Sequence, residues 1–132
     1  MSNVINSLLA ITQRDPETRK VLIPRLNLTI TLKEIDYNTL QSCRTSENAH
    51  YHYLLKSTVS PNFKDETWYQ EKMGCPTPVE AMKKLLRPGE VERLCKVADD
   101  LNGYGPGSIS VLTDEELETV ATGAAVEYLE KN

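Results

Sequence analysis

The sequence predicts an α+β domain that is mostly α, a compact bundle of short helices with a small N-terminal antiparallel β-hairpin. Two observations carry that prediction. Alternation with a period of two occurs in one clear place, where Leu26, Leu28, Ile30 and Leu32 are interleaved with Asn27, Thr29, Thr31 and Lys33. The stretch from Pro61 to Gly105 instead repeats apolar residues at helical spacing, and its prolines and glycines stand where helices start and stop. At 132 residues the chain is expected to be one domain, 1–132, large enough to bury a core.

Residues 1–15 carry Val4, Ile5, Leu8, Leu9 and Ile11 on one face, a short amphipathic helix ended by Asp15-Pro16. It is expected to cap an apolar surface elsewhere in the domain; the alternative is an anchor for a partner or for self-association. Residues 19–33 form the hairpin, with Lys20-Val21-Leu22-Ile23 before a turn at Pro24-Arg25. Two strands alone are marginal in water, so their apolar face must lie on helices.

The helical core is expected over residues 36–105. Asp36 is placed as the N-cap of a helix through Leu40 to about Arg44, and Thr45, Ser46 and Asn48 interrupt it. A second helix carries Tyr51, Leu54, Leu55 and Val59 until Ser60-Pro61 ends it. A third, around Asp65 to Met73, closes at Gly74, which can take the left-handed conformation. Thr77, Pro78 and Glu80 open a fourth, as N-cap, first-position proline and capping-box glutamate, with Val79, Met82, Leu85 and Leu86 on one face. Pro88-Gly89 start a fifth whose stripe is Val91, Leu94, Cys95, Ala98 and Leu101, with Gly103 as its stop. After a loop at Tyr104–Ser108, Thr113 and Glu116 make another capping box and open an acidic helix over 113–130.

Charge narrows the function. The net charge is −4, which argues against nucleic-acid phosphates as the partner. Residues 113–132 hold six acids against the one base Lys131, so the rest of the chain is close to neutral. That acidic face reads either as a solvated surface or as a partner-steering one. No apolar run reaches the length of a membrane span, and the N-terminus lacks the pattern of a signal peptide. Three cysteines without paired spacing fit a reducing cytoplasm.

Residues that invite a chemical reading each have a plainer one. His50 and His52 are two apart, which puts them on different faces of a helix, unlike the i, i+4 pair of a zinc helix. Cys75 lies near a helix start, but neither it, Cys43 nor Cys95 is accompanied by an oxyanion loop, and Cys95 belongs to an apolar stripe. Gly103-Tyr104-Gly105-Pro106-Gly107 lacks the lysine and threonine of a phosphate loop. Trp68 and Tyr69 are expected to anchor their helix to the core, the alternative being an aromatic hot spot for a protein partner. The sequence therefore predicts no catalytic residue, no metal and no cofactor.

The order of elements resembles a known family. Ser60-Pro61-Asn62-Phe63, Tyr69 to Gly74, Pro78-Val79-Glu80, Leu86-Arg87-Pro88-Gly89-Glu90-Val91, Leu94 and Asp100-Leu101-Asn102-Gly103 are similar to the phage tail assembly chaperones of the XkdN-like kind. The strand from Leu26 to Lys33, running into the Asp36 helix, also resembles that family, so the likeness spans roughly residues 19 to 104. It implies a non-enzymatic protein of a bacteriophage or prophage that binds and solubilises the tape measure protein and helps recruit tail tube subunits. It further implies action in the host cytoplasm, absence from the mature virion, and a longer frameshifted form of the same chain as a further partner. Neither nucleic acid nor membrane is expected as a partner. The alternative is a generic helical adaptor or regulatory protein-binding module, and a cysteine-dependent enzyme stands behind both. The residues expected to meet a partner are Trp68, Tyr69 and Leu94, with Asp114, Glu115, Glu116 and Glu118 steering basic client segments.

Overall fold

A computed structural model describes residues 2–12 and 14–115. The chain divides into two compact units, Met1–Asn102 and Gly103–Asn132. In the first, helix α1 (Ser2–Ala10) precedes strands β1 (Thr18–Ile23) and β2 (Leu28–Lys33), which pair antiparallel from Thr18 opposite Lys33 to Ile23 opposite Leu28. A 3-10 turn, Pro24–Leu26, joins them, and Asn27 closes it in the left-handed region at φ 48°. Asparagine tolerates that conformation better than residues with larger side chains. Alternation does what it predicts: Ile30 and Leu32 are buried, while Thr29 and Lys33 are exposed.

A third strand, β3 (Thr58–Ser60), pairs antiparallel with β2, giving the order β1-β2-β3 with an irregularity at Thr31/Leu32. This corrects the helix expected to run on through Val59. Helix α3 (Ala49–Ser57) stops earlier, and Val59 is exposed on the strand. The reason is local. Thr58 turns extended at φ −87°, ψ 121°, and both its N–H and its hydroxyl donate to the carbonyl of Leu54. Pro61 in turn disfavours helical backbone at Ser60.

Helix α2 (Tyr37–Arg44) starts as expected, with the Asp36 carboxylate accepting from the Thr39 N–H at 3.0 Å. The segment expected as an α-helix around 65–73 winds instead as a π-helix, Thr67–Lys72. It closes at Gly74, φ 66°, and the Cys75 N–H reaches back to the Tyr69 carbonyl at 2.8 Å. Helix α4 (Pro78–Leu85) is capped by Thr77, whose hydroxyl accepts from the Glu80 N–H at 3.2 Å. Helix α5 (Pro88–Leu101) buries all five residues of its predicted stripe.

α5 is the spine of this unit. It packs against α3 and against both β1 and β2, which supplies the apolar cover that the hairpin needs. The main core gathers Ile23, Ile30, Leu32, Leu54, Met82 and Leu94 among others, and Tyr69, Cys75 and Ala81 make a smaller cluster. Trp68 packs against both clusters, its ring centroid 5.3 Å from that of Phe63. Helix α1 departs from expectation. Its apolar residues are not buried against the described core: Val4, Ile5, Leu8 and Leu9 are all more than half exposed.

In the second unit, Gly103 and Gly107 take left-handed backbone, and residues 104–113 form turns and irregular chain. Asp114 and Glu115 are helical and exposed. The rest of the expected acidic helix, including Glu116 and Glu118, lies outside the described residues.

Candidate interaction surface

A cleft of about 260 Å³ opens between α2, α3 and α5. The helical repeat builds it, because Leu40 and Cys43 face across to Ala49 and Tyr53 and to Cys95 on the neighbouring helices. These give it an apolar floor. The charged members of its lining are balanced, with Arg44 and Lys96 against Glu92 and Asp99. A hydrogen-bonded chain runs along one side. The Tyr53 hydroxyl donates to Asp99 Oδ1 at 2.7 Å and accepts from Asn102 Nδ2 at 2.9 Å. Asn102 Oδ1 accepts from the Ile35 N–H at 2.9 Å, so one amide ties α3, α5 and the β2–α2 connection together. Burial first, and the Asp99 hydrogen bond second, push the Tyr53 phenol well above its usual range. It stays protonated and acts as a structural donor.

Burial keeps the two thiols of this cleft protonated. Burial, followed by the nearby carboxylates of Asp99 and Glu92, pushes the Cys95 thiol up to about 12, and its Sγ lies 3.7 Å from the His50 carbonyl. Burial also raises Cys43. Cys75 is buried in the smaller cluster with its Sγ donating to the Met73 carbonyl at 3.4 Å. All three thiols thus behave as small core residues. His50 is exposed and His52 half-buried, and among the described residues no group of three or more metal-ligating side chains comes together. No helix among the described residues is long and apolar enough to cross a membrane.

Two of the three partner residues expected in the first unit lie beneath its surface. Leu94 is buried in the main core and Tyr69 in the smaller cluster, so both support the surface from beneath. Trp68 is half-buried and keeps part of its ring at the surface. Asp114 and Glu115 are exposed. The cleft itself escapes sequence reasoning, whereas the aliphatic row of α1 is legible at helical spacing and only its exposure is new.

A second electrostatic lock organises the start of α5. Arg25 grips Glu90 in two-pronged fashion, Nη2 to Oε1 at 2.7 Å and Nε to Oε2 at 3.1 Å, and it also donates to the Leu85 carbonyl at 2.9 Å. Glu90 Oε1 accepts the Arg87 N–H at 2.7 Å, closing the helix N-terminus. The Arg25 guanidinium, helped by that N–H, holds Glu90 down at about 2.

Short helices packed on a three-stranded antiparallel sheet define a mostly α domain of the α+β class. The chain belongs to the phage XkdN-like tail assembly chaperone family, whose model matches residues 45–120. That family is one of assembly chaperones, a non-catalytic class. The fold is similar to a crystal structure of a protein called yqbn, with a TM-score of 0.55 and 19% identity over 71% of this chain and 91% of that one. No curated protein matches the chain.

Proposed function

We propose that this chain binds the tape measure protein of its phage or prophage, keeps it soluble, and helps recruit tail tube subunits during tail assembly. It acts in the cytoplasm of the bacterial host and is left out of the mature virion. The family match over residues 45–120 carries this reading, because it covers α3 to α5 and so most of the helical core. Capped short helices around an apolar cleft also suit a helical client laid into a groove. Trp68 is the aromatic contact, while Asp114, Glu115, Glu116 and Glu118 attract basic client segments. A longer frameshifted form of the chain shares the same core.

Co-expression tests the reading directly. The chain is expected to keep the tape measure protein soluble and to co-purify with it. A tape measure protein that stays insoluble, with nothing co-purifying, leaves a generic helical adaptor in its place.

A further inference from the structure

We propose that the junction of α3 and β3 is a two-state hinge, in which Thr58 and Val59 leave β2 and lengthen α3, baring the β2 backbone at Thr31 and Leu32. A single torsion separates the two paths of the chain. Thr58 already donates its N–H to the Leu54 carbonyl, the bond a continuing α-helix makes, and its φ of −87° lies within the helical range. Only its ψ, at 121°, directs the chain into the strand. The Thr58 hydroxyl also donates to the Leu54 carbonyl, at 2.6 Å, as threonines inside helices do. Rotation about ψ therefore breaks neither bond.

The strand is weakly held on its side of the hinge. Ser60 stands opposite Thr31 and Thr58 opposite Leu32, so Val59 is the extra residue of a bulge and has no counterpart on β2. Its side chain is 52% exposed. On a longer α3 it would follow Leu55 by one turn and Tyr51 by two, in line with two residues that pack against the main core. Helix and strand thus compete for Val59. Next to it, Ser57 is wholly buried and its hydroxyl has no hydrogen-bond partner in the protein. An unpaired buried hydroxyl is destabilising, and departure of β3 admits water to it. Pro61 bounds the change, because it disfavours helical backbone at Ser60 and so stops the longer helix at Val59. This inference does not depend on the identity of the client.

NMR relaxation dispersion on the full chain tests the hinge. Exchange is expected at Ser57, Thr58, Val59, Thr31 and Leu32, with a minor state populated at about 0.1–10% and helical carbon shifts at Thr58 and Val59. Val59→Pro should abolish that exchange. The proline suits an unpaired bulge position on an edge strand, but it holds Thr58 extended and lacks the N–H that the longer helix needs. Thr58→Ala should raise the minor population about threefold, since alanine is the better helix former. Ser57→Ala should lower it about tenfold, because the substitution removes an unpaired hydroxyl that only the strand state buries. Flat dispersion in the wild type overturns the proposal. So does a minor state with random-coil shifts at Thr58 and Val59, which means that β3 frays without joining α3. Exchange that persists in Val59→Pro overturns it equally. If that variant does not fold, a minor population that falls in Thr58→Ala does the same.

Discussion

Asn102 ties three elements of the first unit together through one side chain. Its amide is used at both ends, so truncating it leaves the Ile35 N–H unpaired and the Tyr53 hydroxyl with its Asp99 bond alone. Asn102→Ala and Tyr53→Phe should each cost about 1–2 kcal/mol in urea unfolding. Because they share one network, the double variant should cost less than their sum by about 0.5 kcal/mol or more. Strict additivity would mean that the two bonds act separately. Glu90 makes a different prediction at the same scale. Its folded value, about 2, lies below the ordinary carboxylate value of 4.5, so the unfolded chain takes up its proton first as the pH falls. The stabilisation by Glu90 is therefore fully present above about pH 4.5 and fades as the pH falls towards 2. The difference in urea midpoint between wild type and Glu90→Gln should be constant from pH 7 to 5 and shrink steadily below that. A difference that grows on acidification would contradict the Arg25 lock.

Elements formed where several local signals agreed. The α5 stripe was fully legible, since Val91, Leu94, Cys95, Ala98 and Leu101 recur at helical spacing between Pro88 and Gly103, and all five are buried. Leu94→Ala should cost about 2–4 kcal/mol, because the residue sits inside the main core and leaves a cavity there. A change typical of the surface would show instead that the stripe relaxes around the gap. The hairpin was legible for the same reason, as alternation fixes which face is buried. β3 was not, because three residues are too short to show a period and the preceding helical spacing runs straight into them. The π-helix was equally hidden, since its backbone bonds, such as Met73 N–H to the Trp68 carbonyl at 3.0 Å, leave no mark in composition. The closing residue was legible. Gly74 stands at φ 66° with nothing within 4 Å of an added Cβ, so Gly74→Ala meets backbone strain alone. It should cost about 1–2 kcal/mol, measured by thermal or urea unfolding.

At the scale of the whole molecule, two kinds of surface divide the work proposed for it. The cleft has an apolar floor and a rim of balanced charges, whereas the acids at 113–132 are of nearly one sign. The cleft could not be read from sequence, because its residues come from three helices whose mutual placement no spacing records. The acidic run was plain from composition alone. Apolar contacts that hold a client are little affected by salt, but attraction between exposed charges is screened beyond about 8 Å at physiological ionic strength. If the acids steer a basic client, rising salt should slow its association while dissociation changes little. Glu115→Lys, Glu116→Lys and Glu118→Lys together should slow capture of the tape measure protein in the same way. That variant should also flatten the salt dependence and leave the melting temperature of the first unit unchanged. Stopped-flow association with a soluble tape measure fragment reads all three effects. Equal association rates for wild type and the triple variant at low salt would remove steering from the mechanism while leaving the chaperone assignment intact. A faster dissociation instead would place those carboxylates in the bound interface itself.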